Sequence, residues 1–192
     1  MIEYTFTTLL TCSNQRCKEV VTCLGRGYVK TKYGRNNDIE YIEYFKPIFF
    51  YPALQIFDIP VKTPEEVKAH IHSSFSLFFN NPSAAANQIR IALECLLTHM
   101  KIKRYNISNG KQRRLNLHQR IELLPAKYQH VKDLFFAIKW LGNSGSHCGD
   151  KITMDNVFDG YDMLSFLLEE LYENRQTHAK KLAKKINDNK GV

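Results

Sequence analysis

Lys139, Asn143 and His147 stand at four-residue intervals in "AIKWLGNSGSH". On a helix that runs on past Gly142 they would share one face. An ammonium, an amide and an imidazole gathered there suit metal-free cleavage of RNA. A histidine titrating near pH 6.5 takes the ribose 2′-hydroxyl proton or protonates the leaving oxygen. A nearby cation holds the charge that develops on phosphate. The structural alternative is that Gly142 stops the helix, since glycine adopts the left-handed conformation without a Cβ penalty. Asn143 and His147 then cap chain ends. Arg90 and Glu94, at i and i+4 in "QIRIALE", either organise a helix as a half-buried ion pair or join the candidate catalytic set. His118 and Arg120 in "LNLHQRIELL" either touch phosphate or face water.

The cysteines carry less chemistry. Cys12 and Cys17 flank "SNQR" and Cys23 follows, a gap found in zinc knuckles. A structural zinc needs four ligands, and the nearest histidine is His70, so idle or buried thiols and no cofactor are expected. Cys148 adjoins His147, but adjacent residues rarely aim at each other as nucleophile and base. The chain has no glycine-rich phosphate loop, dinucleotide fingerprint or HExxH.

These residues need elements to position them. Residues 1–60 are rich in Thr, Val, Tyr, Phe and Ile, as in "YTFTTLLTC", "KEVVTCLGRGYVKTKYG" and "IEYIEYFKPIFF". They predict a small antiparallel sheet with a hairpin loop in "YGRNNDIEY". "KPIFFYPALQIFDIPVKTP" carries four prolines, which predicts an extended, docked connector. Residues 61–192 predict a bundle of four or five helices with a basic C-terminal end. "TPEE" places Thr63 at an N-cap, Pro64 at the first helical position and Glu66 at the capping-box position. Val67, Ile71, Phe75 and Phe78 then form a stripe. Asn81 and Pro82 open a second helix, with Ile89, Leu93, Leu96, Leu97 and Met100 on its apolar face. A short helix spans "LHQRIELL" and stops near Pro125. "HVKDLFFAIKWL" aligns Val131, Leu134, Phe135, Ile138 and Leu141. The last helix starts near Thr153, repeats at Val157, Tyr161, Leu164, Leu168 and Leu171, and has a pattern that extends toward Ile186. The fold class is therefore α+β and predominantly α.

The chain has 192 residues, 44% of them hydrophobic, with a formal charge of +8. The longest apolar run falls far short of the roughly 20 residues of a membrane helix. The N-terminus, with Glu3 and no basic start, does not read as a secretory signal. A cytoplasmic protein with five reduced cysteines is expected. The charge is uneven: Lys101, Lys103, Arg104, Lys111, Arg113, Arg114 and Arg120 stand with His118 in a 20-residue stretch that holds no acid. An Asn109-Gly110 turn falls inside this basic loop. The tail "HAKKLAKKINDNKGV" is a second basic block. Such clustering suits a polyanion, nucleic acid before a membrane surface, or serves as a solvated loop and helix end.

"FxPxxFYPxLQIFDIP", "AAANQIRIALE", "LNLHQRI" and "AIKWLGNSGSH" together resemble the bacterial family catalogued as domain of unknown function 4145. That family resembles a branch of the HEPN class of helical-bundle domains. Members of the class are often metal-independent endoribonucleases of toxin–antitoxin and phage-defence systems, and some are attached to restriction enzymes. The resemblance implies a homodimer with a shared site, RNA or a defence protein as partner, and a polar residue and histidine at Asn143 and His147. The class arginine before the polar residue is missing, because Gly142 stands there. Lys139 lacks the bidentate fork that suits phosphate, leaving Arg90 or Arg120 to come from another helix. Two readings follow. One is a non-catalytic nucleic-acid or protein interaction module. The other is an endoribonuclease with His147 as general acid or base.

Overall fold

The computed structural model describes residues 2–33, 38–108, 110–145, 152–173 and 183–189. Three strands, β1 (Ile2–Thr11), β2 (Val20–Tyr33) and β3 (Ile39–Tyr51), form an antiparallel sheet in the order β1-β2-β3. Five α-helices follow: α1 (Glu65–Leu77), α2 (Pro82–His99), α3 (Leu117–Glu122), α4 (Lys132–Ser144) and α5 (Met154–Tyr172). A two-stranded hairpin, β4 (Tyr105–Ser108) and β5 (Lys111–Arg114), lies between α2 and α3, and a 3-10 turn (Ala126–Val131) precedes α4. Residues 183–189 are helical and exposed. The chain is thus α+β with helix predominating, as its patterning predicts. No helix among the described residues is long and apolar enough to cross a membrane.

The predicted stripes become the core. Val67, Ile71, Phe75 and Phe78 of the α1 region, Ile89, Leu93, Leu96 and Leu97 of α2, and Phe135 and Ile138 of α4 are buried together. Val157, Tyr161, Leu164 and Leu168 of α5 complete the cluster. Helix α2 is central and packs on α1, α3, α4 and α5. Its start follows the sequence signal: Asn81 Oδ1 accepts the Ala84 amide at 3.0 Å, and proline opens the first turn, where its missing amide costs nothing. Ser74 Oγ donates to the Ala85 carbonyl and meets Tyr161 Oη at 2.8 Å, which ties α1 to α2 and α5 through buried polar atoms.

Three expectations change. Thr63 does not cap α1; Pro64 occupies the cap position, and the Thr63 hydroxyl is buried with no partner among the described residues. The turn closed by Thr63 N–H to Pro60 C=O directs that side chain inward, away from the helix amides. The segment Lys46–Tyr51 is part of β3, not of the connector. Pro47 fits there because β3 is an edge strand and the ladder is irregular at Leu24/Gly25 opposite it. The connector proper, 52–63, is docked as expected, with the Phe57 ring 5.2 Å from that of Phe75. The basic stretch 101–120 is not a loop but a hairpin followed by α3. Gly110, at φ +70°, supplies the turn, and an Asn116–Gln119 capping box opens the helix. Of the two readings of Gly142, the structure takes the one in which the helix continues: α4 runs past it to Ser144. A Cβ at 142 would collide with Arg90 Cβ, so this glycine is there to let α2 and α4 approach closely.

Candidate functional site

Arginines from three segments converge beside the C-terminal half of α2. Helix α2 supplies Arg90 and Glu94, the hairpin supplies Arg114 with Arg104 just ahead of β4, and α3 supplies Arg120. They line a cleft of about 330 Å³. Glu94, Arg104 and Arg120 also line an adjoining hollow of about 290 Å³, together with Glu66, His70 and Cys95.

The local chemistry of each group differs. Arg90 Nη1 donates to Glu94 at 2.6 Å and its Nε to Asn87 Oδ1 at 3.2 Å, so this pair is the half-buried i,i+4 bridge that the spacing predicts. Arg120 is 5% exposed. Its Nη1 donates to the Glu94 carbonyl at 3.0 Å, and its Nη2 to Thr98 Oγ1 at 2.9 Å and the Ile102 carbonyl at 3.4 Å. A guanidinium there ties α3 to the C-terminal part of α2 and lies near the negative end of that helix's dipole. Its Nε is buried without a partner among the described residues. Burial, and next the neighbouring Arg104, push the Arg120 pKa down, with Arg114 adding to the effect. Arginine stays protonated regardless, so the fold carries this repulsion as a standing cost. Arg104 and Arg114 are exposed on the cleft wall. Among the described residues none of Arg104, Arg114 and Arg120 ion-pairs with a carboxylate.

The hollow beside it was not visible in the sequence. His70 Nδ1 lies 2.9 Å from Gln88 Oε1, and burial with a hydrogen bond to Glu66 pushes the Cys95 thiol up to about 11. No motif marks His70 or Cys95. They meet only because α1 lies against α2.

The remaining predicted residues scatter. Lys101 holds a left-handed turn, φ 63°, where α2 ends, and Ile102 N–H closes it onto the Leu97 carbonyl. Lys103 lines a separate hollow with Glu122. Lys111 and Arg113 are exposed strand residues that do not line the cleft. The His118 ring packs 4.9 Å from Phe136, on the side of α3 that meets α4. Lys139 is not a cleft residue either: it is 7% exposed, with Nζ 3.1 Å from the centroid of the Trp140 ring, and burial lowers its pKa. Asn143 is half-buried in the last turn of α4. His147 and Cys148 lie outside the described residues. Of the three thiols considered for zinc, Cys23 is buried against Phe50 while Cys12 and Cys17 are exposed. Among the described residues no group of three or more His, Cys, Asp or Glu could hold a metal ion.

A family model for a second domain of unknown function, DUF8608, matches residues 1–53, which hold the sheet. No curated protein and no solved structure matches the chain. The bundle and its arginine cleft fall almost wholly within residues 72–189, which match the model described as "Domain of unknown function (DUF4145)", and the chain belongs to that family.

Proposed function

We propose that the protein is a HEPN-like nucleic-acid-binding module whose arginine cleft receives the backbone phosphates of RNA. The observation that carries this reading is the accumulation of Arg104, Arg114 and Arg120 in one cleft, none of them ion-paired with a carboxylate among the described residues. Glu94, the acid of that cleft, is already engaged by Arg90. Like charges held together raise the energy of the fold, and an anion relieves them. A guanidinium presents paired N–H donors that match phosphate oxygens. Arg104 and Arg114, on a short hairpin wall, reach the ligand; Arg120, locked into α2, contributes field more than contact. Sequence-independent phosphate binding of this kind weakens steeply with salt.

The test is fluorescence anisotropy of a labelled 20-nucleotide RNA across 50–200 mM KCl. For single strands each neutralised phosphate contributes a slope of about −0.7 in log K against log salt. Arg104→Ala with Arg114→Ala is expected to make the slope shallower by about 1.4 and to weaken binding about tenfold or more. Unchanged affinity and slope in a variant with unaltered circular dichroism would remove the proposal.

A further inference from the structure

The N-terminal sheet carries a second surface whose chemistry is independent of the cleft. Strand alternation divides its side chains between two faces. On the inner face Cys23 and Phe50 pair across β2 and β3, Phe50 packs 4.8 Å from Phe79 of the bundle, and the rings of Phe6 and Tyr4 lie over Gly25 and Gly27. The outer face holds a different set. Arg26 stands directly opposite Lys46, and Tyr28 directly opposite Tyr44. The two tyrosine rings are stacked, 4.9 Å apart at an interplanar angle of 5°, with Lys30 Nζ 5.5 and 5.4 Å from their centroids. A hollow of about 350 Å³ adjoins them, lined by Glu3, Thr5, Arg26, Tyr28 and Lys46.

Two features of this face point to a ligand and to its class. Like charges directly opposite on a sheet destabilise it, yet Arg26 and Lys46 face each other with only Glu3 as an acid in the hollow they line. Farther along the same face, beyond the Tyr28–Tyr44 and Lys30–Ile42 pairs, the sheet does complement its charges, since Lys32 stands opposite Glu40. An anion between Arg26 and Lys46 removes the repulsion. The second feature is the neighbouring ring pair, where Tyr44 is half-exposed. Cations that follow a backbone beside aromatic rings that accept bases are the two components of single-strand recognition. A duplex keeps its bases stacked inside and offers no ring to Tyr44.

We propose that the outer face of the β1–β3 sheet binds single-stranded nucleic acid, with a phosphate between Arg26 and Lys46 and a base stacked beside the Tyr28–Tyr44 pair. The experiment uses the full chain, a labelled ten-nucleotide oligouridylate and a hairpin duplex of the same charge. Tyr44→Ala is expected to weaken single-strand binding about tenfold and leave duplex binding within twofold. Tyr44→Phe is expected to restore single-strand affinity, because the ring and not the hydroxyl stacks. Arg26→Ala with Lys46→Ala lowers affinity for the single strand and makes its salt slope shallower. These effects persist in the Arg104→Ala/Arg114→Ala background, which separates this surface from the cleft. If the sheet variants change nothing while the cleft variants do, this proposal falls and the cleft reading stands. Equal losses for single strand and duplex with Tyr44→Ala overturn the stacking assignment. So does a concentration-dependent dimer in sedimentation that Tyr44→Ala dissociates, which would make a second copy the occupant.

Discussion

The bundle and the sheet bury their apolar residues in opposite ways. Each long helix turns one stripe inward onto α2, so that Leu93, Leu96, Phe135 and Leu164 are fully enclosed. Among the described residues the sheet encloses the side chains of Val21, Cys23 and Phe50, close to where it meets Phe79, and leaves Leu9, Leu24, Phe49 and Tyr51 exposed on its outer face. Two layers share one core in the first case; in the second, one layer has a partner along part of one face. Burial is the main favourable term in folding, so stability concentrates in the bundle. The sheet retains exposed rings and cations that are free to meet another molecule. Even the cleft obeys this division: its buried arginine is clamped by backbone carbonyls, and its exposed ones stand on a hairpin outside the core.

The largest test of the contrast is Leu93→Ala beside Val21→Ala. Emptying the fully buried site in α2 should cost about 2–5 kcal/mol, whereas the sheet site should lose about 1 kcal/mol, part of the transfer energy of two methyl groups. Chemical denaturation measures both. Equal losses would mean that sheet and bundle share one core, and hydrogen exchange should agree by showing β2 amides opening before those of α2.

Gly142→Ala comes next. Alanine is the better helix former, yet its methyl group meets Arg90 Cβ and the Ala86 carbonyl, so α4 must move off α2. A loss of about 1–3 kcal/mol is expected. A neutral or stabilising result would show that the helices part freely. The same substitution at Gly110, which sits at positive φ with open space around it, should cost less and act through backbone strain alone.

The smallest effect concerns the thiols. Cys12 and Cys17 are exposed near the end of the sheet, while Cys95 is held protonated between α1 and α2, its pKa pushed up to about 11 from an ordinary 9.0. Between pH 9 and 11 the folded chain therefore binds more protons than the unfolded one, so this group's contribution to stability is lost as pH rises through that window. Cys95→Ala should flatten the alkaline decline in melting temperature. Mass spectrometry at pH 8 should find Cys12 and Cys17 alkylated well before Cys95, and simultaneous labelling would show that the bundle is open at this point.

Much of the helical architecture was legible because its causes are local. Val67, Ile71 and Phe75 repeat at the helical period, and Asn81-Pro82 caps its own first turn through an amide three residues away. Alternation and turn residues likewise mark the three strands. Thr63 and the helix-stop reading of Gly142 share one lesson: each rests on a strong local preference, for an N-cap and for a helix end, that packing overrode. The hydroxyl was turned inward and the glycine was used for helix contact.

The candidate sites divide along the same line. The run of cations from Lys101 to Arg120 is plain in the chain, but not which of them share a space. Arg104 and Arg114 face the cleft while Lys103 lines another hollow, a sorting set by the hairpin. His70 joins Glu94 and Arg120 across the α1–α2 contact, and Tyr28 meets Tyr44 only through strand register. By itself, then, the sequence determined the elements, their apolar faces and the excess of positive charge, because those depend on residues within about one helical turn or one strand repeat. The tertiary structure decided which charges became neighbours, because bringing segments 90, 104, 114 and 120 together depends on how whole helices pack.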